Sequence, residues 1–273
     1  MQYGFVITEG TAQDFVDLAV LIEESGWDAA FSWEVVYGLD PWVLQGAMAT
    51  KTSRVRLGPL LTPPSRRRPW KLAAEVATVD LISNGRAVLM IGLGATDTGF
   101  DAVGEETDRK VRAELVDESI DLMKHFWSGE PFVHQGKHYQ VDWSDKKTWD
   151  IKPVQQPPPI WTVAIWPNKR SMERAFRVEG CLPFVKGDNP MENAITPAHV
   201  ADIRAEAIAH KGEHAPFDIV IEGVTPIGDD DARARVRAFE AAGATWWVES
   251  MWFTEGGIDA LRERIKAGPP RSE

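Results

Sequence analysis

Residues 54–94 read RVRLGPLLTPPSRRRPWKLAAEVATVDLISNGRAVLMIGLG. Val55 to Leu61 is a short apolar run closed by a pair of prolines. Lys71 to Leu81 then carries apolar residues at helical spacing, and Ser83-Asn84-Gly85 is a turn. Ala87 to Leu93 is a second short apolar run. The pattern predicts strand, helix and strand. Strands alternating with helices imply a parallel sheet, because parallel neighbours need a crossover.

The same rhythm runs outward in both directions. On the N-terminal side, Tyr3 to Thr8 reads as a strand and Gln13 to Ser25 as a helix, stopped by Gly26. Ala29 to Trp33 is the next strand, and Asp40-Pro41 supplies an N-cap and a first-turn proline for a helix ending near Thr50. On the C-terminal side, Arg112 to Trp127 reads as a helix. Residues 128 to 159, rich in proline and charge, break the rhythm as an irregular insertion with a small hairpin at Phe132 to Val141. Four more pairs follow: Ile160 to Ile165 with Lys169 to Val178, Cys181 to Val185 with Pro197 to His210, Phe217 to Glu222 with Asp230 to Ala241, and Thr245 to Ser250 with Gly256 to Ala267. Eight strand–helix pairs in order predict an α/β fold: a single (β/α)8 TIM barrel over residues 1–273, interrupted between the fourth helix and the fifth strand. A doubly wound open sheet is the alternative, but it usually has five or six strands.

Composition narrows the partners. The net charge of −11 argues against a nucleic-acid binder, which would show a basic face. The chain has no 18-residue apolar run and no secretory signal pattern at its start, so no membrane span is expected and a cytoplasmic setting is. Cys181 is the only cysteine, which excludes an internal disulfide and a cysteine metal cluster. None of the six histidines falls at a strand end, so no metal site is expected.

In such barrels the chemistry sits at the C-terminal ends of the strands. Three carboxylates, Glu34, Glu222 and Glu249, converge there on this reading. They suit a glycosidase-style acid/base pair, or else each pairs with a nearby arginine or caps a helix. Arg66, Arg67 and Arg68 follow the third strand and suit an anionic group, a solvated loop or an interface. Gly92 and Gly94 let a flat ring approach the backbone, or simply make a tight turn. Twelve tryptophans against three tyrosines suggest an aromatic cleft, with Trp33, Trp166, Trp246, Trp247 and Trp252 as its walls. Trp246 and Trp247 are adjacent on one strand and must point to opposite faces.

Several of these stretches, taken in order, resemble the luciferase-like monooxygenases. They are Gly26-Trp27-Asp28-Ala29, residues 54–63, residues 71–86, Ile91 to Gly94, Leu122 to Pro131 and Lys152 to Trp161, covering most of residues 1 to 185. The resemblance implies an oxidoreductase that uses F420 or FMN on a small organic substrate. It implies a ring stacked over Pro59, Leu60 and Leu61, with a non-proline cis peptide there, and edged by Gly92, Gly94 and Ala95. The cofactor phosphate would sit at Ile165, Trp166 and Asn168, with Arg112 opposite. Glu34 would stand where many members carry Asp-His, and with Glu249 it is the expected catalytic pair. Trp33, Lys186, Glu222, Trp246 and Trp247 are the expected substrate contacts. A homodimer is also implied. The alternatives are a non-catalytic flavin- or F420-binding barrel, and a hydrolase built on Glu222 and Glu249.

Overall fold

A computed structural model describes residues 1–145, 151–185, 187, 194–252 and 255–271. The elements follow the expected order: β1 (Gln2–Val6), α1 (Ala12–Glu24), β2 (Ala29–Ser32), α2 (Pro41–Ala49), β3 (Arg56–Pro59), α3 (Pro69–Ser83), β4 (Leu89–Ile91) and α4 (Arg109–Ser128). The insertion contributes a two-stranded hairpin, β5 (Val133–Gln135) and β6 (Gln140–Asp142). Then come β7 (Ile160–Trp166), α5 (Lys169–Phe176), β8 (Gly180–Val185), α6 (Pro197–Lys211), β9 (Asp218–Gly223), α7 (Asp230–Ala241), β10 (Trp246–Ser250) and α8 (Gly257–Lys266). Setting the hairpin aside, eight parallel strands pair in the order β3-β2-β1-β10-β9-β8-β7-β4. The ends of that row meet: Leu57 N donates to Arg86 O at 3.0 Å, Val88 N to Leu57 O at 2.8 Å, and Thr62 N to Met90 O at 2.8 Å. The fold is a (β/α)8 barrel.

Between those contacts β3 runs against β4 without a regular ladder. A Cβ on Gly58 would lie 2.0 Å from Val88 O, so only glycine admits the approach. The Gly58 carbonyl is satisfied instead by Gln45 of α2, whose Nε2 donates to it at 2.9 Å and also to Ser32 Oγ. The peptide between Leu60 and Leu61, just beyond, is cis.

Side chains alternate across each strand, as the two-residue period requires. Val6, Ala29, Phe31, Val88, Met90, Trp161, Leu182, Val220, Trp246 and Val248 fill the barrel interior. Gly4 makes room there for the Phe31 ring, which would lie 2.6 Å from a Cβ. Trp161 packs 5.2 Å from Trp246, centroid to centroid. The alternate residues, such as Phe5, Ile7, Cys181, Ile219, Ile221 and Trp247, pack outward against the helices. Beneath the barrel, Arg86 spends all five donors on Ser83 O, Thr52 Oγ1, Val55 O, Ala49 O and Thr52 O, closing the C-terminal end of α2. The hairpin is tied to α4 by Glu118, which accepts from the N–H groups of Lys137, His138 and Tyr139. Burial works to raise this carboxyl, but those N–H donors and His134 hold it below the ordinary range.

Two outcomes test this packing. Gly58→Ala should cost on the order of 3 kcal/mol, read as a melting temperature lower by about 6 °C or more, whereas Gly46→Ala on α2, where a Cβ meets open space, should stabilise by roughly 0.5–1 kcal/mol. Burial pushes the Cys181 thiol up to about 12, so iodoacetamide at about pH 8 should label the unfolded chain and leave the native one unmodified.

Candidate active site

A single elongated cleft of about 940 Å³ crosses the C-terminal mouth of the barrel. Its floor is apolar: Leu60 and Leu61 beyond β3, Gly92 beyond β4, Val163 of β7 and Leu182 of β8. A Cβ on Gly92 would come within 2.8 Å of the Leu61 side chain, so glycine here lets Leu61 lie flat in the floor. Gly94 has φ of 79°, and a Cβ there would strike Phe100 and Pro63. Ala95 completes this edge.

One end of the cleft lies between the N-termini of α4 and α5 and is lined by Arg109, Lys110, Asn168, Arg170, Ser171, Arg174 and Arg177. The two helix starts differ. At α4 the Asp108 carboxylate takes the N–H groups of Lys110 and Val111, so the helix carries its own anion. At α5 the neutral Asn168 side chain caps only Ser171 N, which leaves the Lys169 and Arg170 N–H groups without a helical acceptor. The second start is therefore the one that suits an external anion. Arg174 is committed to Asp117 through two contacts of 2.8 Å, and Arg177 bonds Asp117 and Asp121. Among the described residues, no carboxylate lies within ion-pair distance of Arg109, Lys110 or Arg170. The other end of the cleft is formed by Glu222 of β9 and by Trp252, whose indole N–H donates to the Glu222 carboxylate.

The structure thus brings Leu60, Leu61, Gly92, Gly94, Ala95, Ile165, Asn168 and Glu222 to one cleft. Other expected site residues are placed elsewhere. Glu249 is wholly buried on the outward face of β10, beside Trp247 and Met251. It is bound by Thr225 N at 2.6 Å, Thr225 Oγ1, Trp247 Nε1 and the Arg264 guanidinium of α8. Glu222 follows Val220 on the inward face, so the two carboxylates stand on opposite sides of the sheet. The Glu222–Glu249 hydrolase pair is overturned, and Glu249 is no catalytic candidate. Glu34 does not line the cleft: its side chain is 2% exposed and is gripped by Arg66 at 2.8 Å and Arg67 at 2.5 Å. Burial holds the Glu34 carboxyl above its ordinary value in spite of Arg67 and Arg66, and its Oε2 has no hydrogen-bond partner among the described residues. Burial likewise acts against the Arg67 charge, but Glu34 beside it holds the guanidinium above its ordinary value. Arg66 and Arg67 thus lock the loop after β2, with Arg66 also donating to Val35 O and Val36 O, while the exposed Arg68 lies over the Trp70 ring.

Arg112 donates from Nη1 to the carbonyls of Leu93 and Gly94, at 2.7 and 2.9 Å, which braces the glycine loop, while its buried Nε has no hydrogen-bond partner among the described residues. Pro59 is buried and pairs with Ser32 beneath the cleft. Trp166 packs against the helix-side core. Trp246 fills the barrel and Trp247 lies under α7, so neither walls the cleft. Trp33 stands behind the wall, edge-on to Trp252 at 5.6 Å, with its N–H on Thr8 O. Lys186 lies outside the described residues. Sequence reading missed Arg109, Lys110 and Arg170. Asp108, a cap residue followed by a helical run, was the available signal, and it starts α4 three residues before the expected Arg112.

The family model for luciferase-like monooxygenases matches residues 3–268. The chain belongs to that family. It is 33% identical over 162 residues to an F420-dependent glucose-6-phosphate dehydrogenase of Amycolatopsis mediterranei, covering 56% of this chain and 47% of that protein. It is 28% identical over 201 residues to the oxygenase component of the flavin-dependent trigonelline monooxygenase of Acinetobacter baylyi, covering 71% and 51%. The chain spans about half the length of these curated relatives. Among solved structures, the coenzyme F420-dependent tetrahydromethanopterin reductase of Methanopyrus kandleri superposes with a TM-score of 0.75 at 16% identity, over 98% of this chain and 97% of that one. A monooxygenase of Streptomyces bottropensis gives 0.75 at 19% identity, over 98% of each chain. At such identity these structures speak for the fold alone.

Separating the buried carboxylate from the cleft has a measurable consequence. Glu249→Gln leaves Arg264 buried without its counter-charge and should cost about 3–5 kcal/mol in thermal or urea unfolding. Glu222→Gln, at the cleft, should change stability by less than about 1 kcal/mol.

Proposed function

We propose that the protein is a two-electron oxidoreductase that binds deazaflavin F420 across the barrel mouth and acts on a small organic substrate. The carrying observation is the polarity of the cleft along its length. An apolar floor at Leu60, Leu61, Gly92 and Val163 suits a flat ring system, and it ends where Arg109, Lys110 and Arg170 stand together with Glu114, Asp117 and Glu173. The donor set fits the group. Free N–H groups at the start of α5 suit a phosphate, while Arg109, Lys110 and Arg170 suit further anionic groups beyond it. F420 carries a phosphodiester and a carboxylate tail, whereas FMN ends in one phosphate, so three cations that form no ion pair among the described residues favour F420. When bound, the deazaflavin supplies a carrier for hydride transfer.

The chain's own residues then have distinct tasks. Gly92 and Gly94 keep side chains out of the floor, and Arg112 fixes their loop. Leu61, Val163 and Leu182 exclude water beneath the ring. The substrate enters from the side of Glu222 and Trp252. Similarity to F420-dependent dehydrogenases supports this reading. Reduced FMN and oxygenation form the second reading, favoured by the similarity to the trigonelline oxygenase component. Cytoplasmic residence and a homodimer belong to the proposal too. Among the described residues, no helix is long and apolar enough to cross a membrane.

Titration of the purified protein with F420 and with FMN, followed by fluorescence, tests the reading. Expected are micromolar binding of F420, FMN weaker by at least about tenfold, and an F420 affinity lowered about tenfold by Arg170→Ala. Binding of FMN alone would move the assignment to the second reading, and binding of neither would overturn both.

A further inference from the structure

We infer that the end of the cleft opposite the cations selects an organic cation: a substrate with a positively charged nitrogen on an apolar body, received by Glu222 and Trp252. This rests on the reading of the cleft as the site of a small-molecule oxidoreductase, and it names the substrate class.

Glu222 is the next inward-facing residue after Val220 on β9, so its carboxylate stands at the barrel mouth. One oxygen, Oε1, accepts the Trp252 indole N–H. The carboxylate lines the cleft, and among the described residues no lysine, arginine or histidine lies within ion-pair distance of it. The nearby arginines are engaged elsewhere: Arg235 donates to Val224 O, and Arg264 is held by Glu249 on the other face of the sheet. A half-buried carboxylate whose single strong donor is neutral lacks the charge that would balance its desolvation. A ligand cation supplies it.

Trp252 adds the second half of the site. Its ring is fixed by the edge-on contact with Trp33, which is itself anchored to Thr8 O. A fixed indole beside a carboxylate attracts a cation through the ring and through a charge-assisted contact together. Leu182 and Phe184 on β8 give the apolar surface for the rest of the molecule. The charge logic is also exclusive. Every described cation lining the cleft sits on α4, on α5 or at the C-cap of α5, so among the described residues none offsets the charge that a substrate phosphate or carboxylate would meet at the Glu222 end.

The test needs no cofactor and so fails or succeeds independently of the F420 and FMN titrations. Three isosteric probes, benzylammonium, benzyl alcohol and benzoate, are titrated into the full-length protein. The readout is the indole N–H resonance of Trp252, assigned with Trp252→Phe, in 1H–15N NMR spectra. Benzylammonium should shift that resonance saturably, with the alcohol weaker by about tenfold and benzoate without effect. Glu222→Gln should weaken benzylammonium about tenfold and narrow the gap to the alcohol, while Glu222→Asp keeps the preference for the cation. The dispersion of the spectra shows directly that each variant is folded. Benzoate or benzyl alcohol binding as tightly as the amine, an unchanged affinity in Glu222→Gln, or no shift with any probe would each overturn the proposal.

Discussion

Gly58 faces the carbonyl oxygen of Val88 at a distance that leaves no room for a side chain, and the contact that closes the barrel passes through this point. Closure brings β3 and β4 side by side, and their ends carry Leu60, Leu61 and Gly92 into the cleft floor. A bulkier residue would hold the two strands apart and open the barrel beneath the site. Gln45 completes the arrangement by taking up the Gly58 carbonyl, which the interrupted ladder leaves without a strand partner. The smooth apolar floor and the closed barrel are therefore one packing solution.

The architecture was legible because each of its signals is local. Asp40-Pro41 starts α2 where the sequence places it, Gly26 ends the first unit, and the proline-rich stretch after α4 contains the expected hairpin. The alternation of short apolar runs with amphipathic ones needs no knowledge of packing. The resemblance carried the floor of the cleft, since Leu60, Leu61, Gly92 and Gly94 stand in ordered motifs and the cis peptide falls among them.

The polar residues were less legible, for a physical reason. A strand of a parallel barrel is apolar on both faces, so TWWVES over residues 245–250 does not announce which residues point inward. Phase is set by neighbours: Trp246 and Val248 fill the interior, and Glu249 must then meet α8. The contacts of Glu34 and Arg112 were illegible for a different reason. Each satisfies a partner that is distant in sequence, Glu34 the arginines about 32 residues on and Arg112 the carbonyls about 19 residues back. A charge at a strand end looks alike in sequence whether it is spent inside the protein or left for a ligand. In a chain with a net charge of −11, the cations that stay unspent are the informative ones.

The loops after β2, β3 and β4 form one block. Arg66 reaches from the β3 loop to Glu34, Val35 O and Val36 O beyond β2, and its guanidinium also lies 5.6 Å over the Phe100 ring beyond β4. Arg112 lies 5.9 Å from that same ring. The half of the mouth beside the floor is thereby cross-braced through a single phenyl group. Glu222 and Phe184 share none of these braces, and Trp252 meets the block only through its edge-on contact with Trp33. For anyone recasting the cleft toward a new compound, the barrel comes already divided: one half is scaffold, and the other is a face on which libraries can be built with little disturbance of the scaffold.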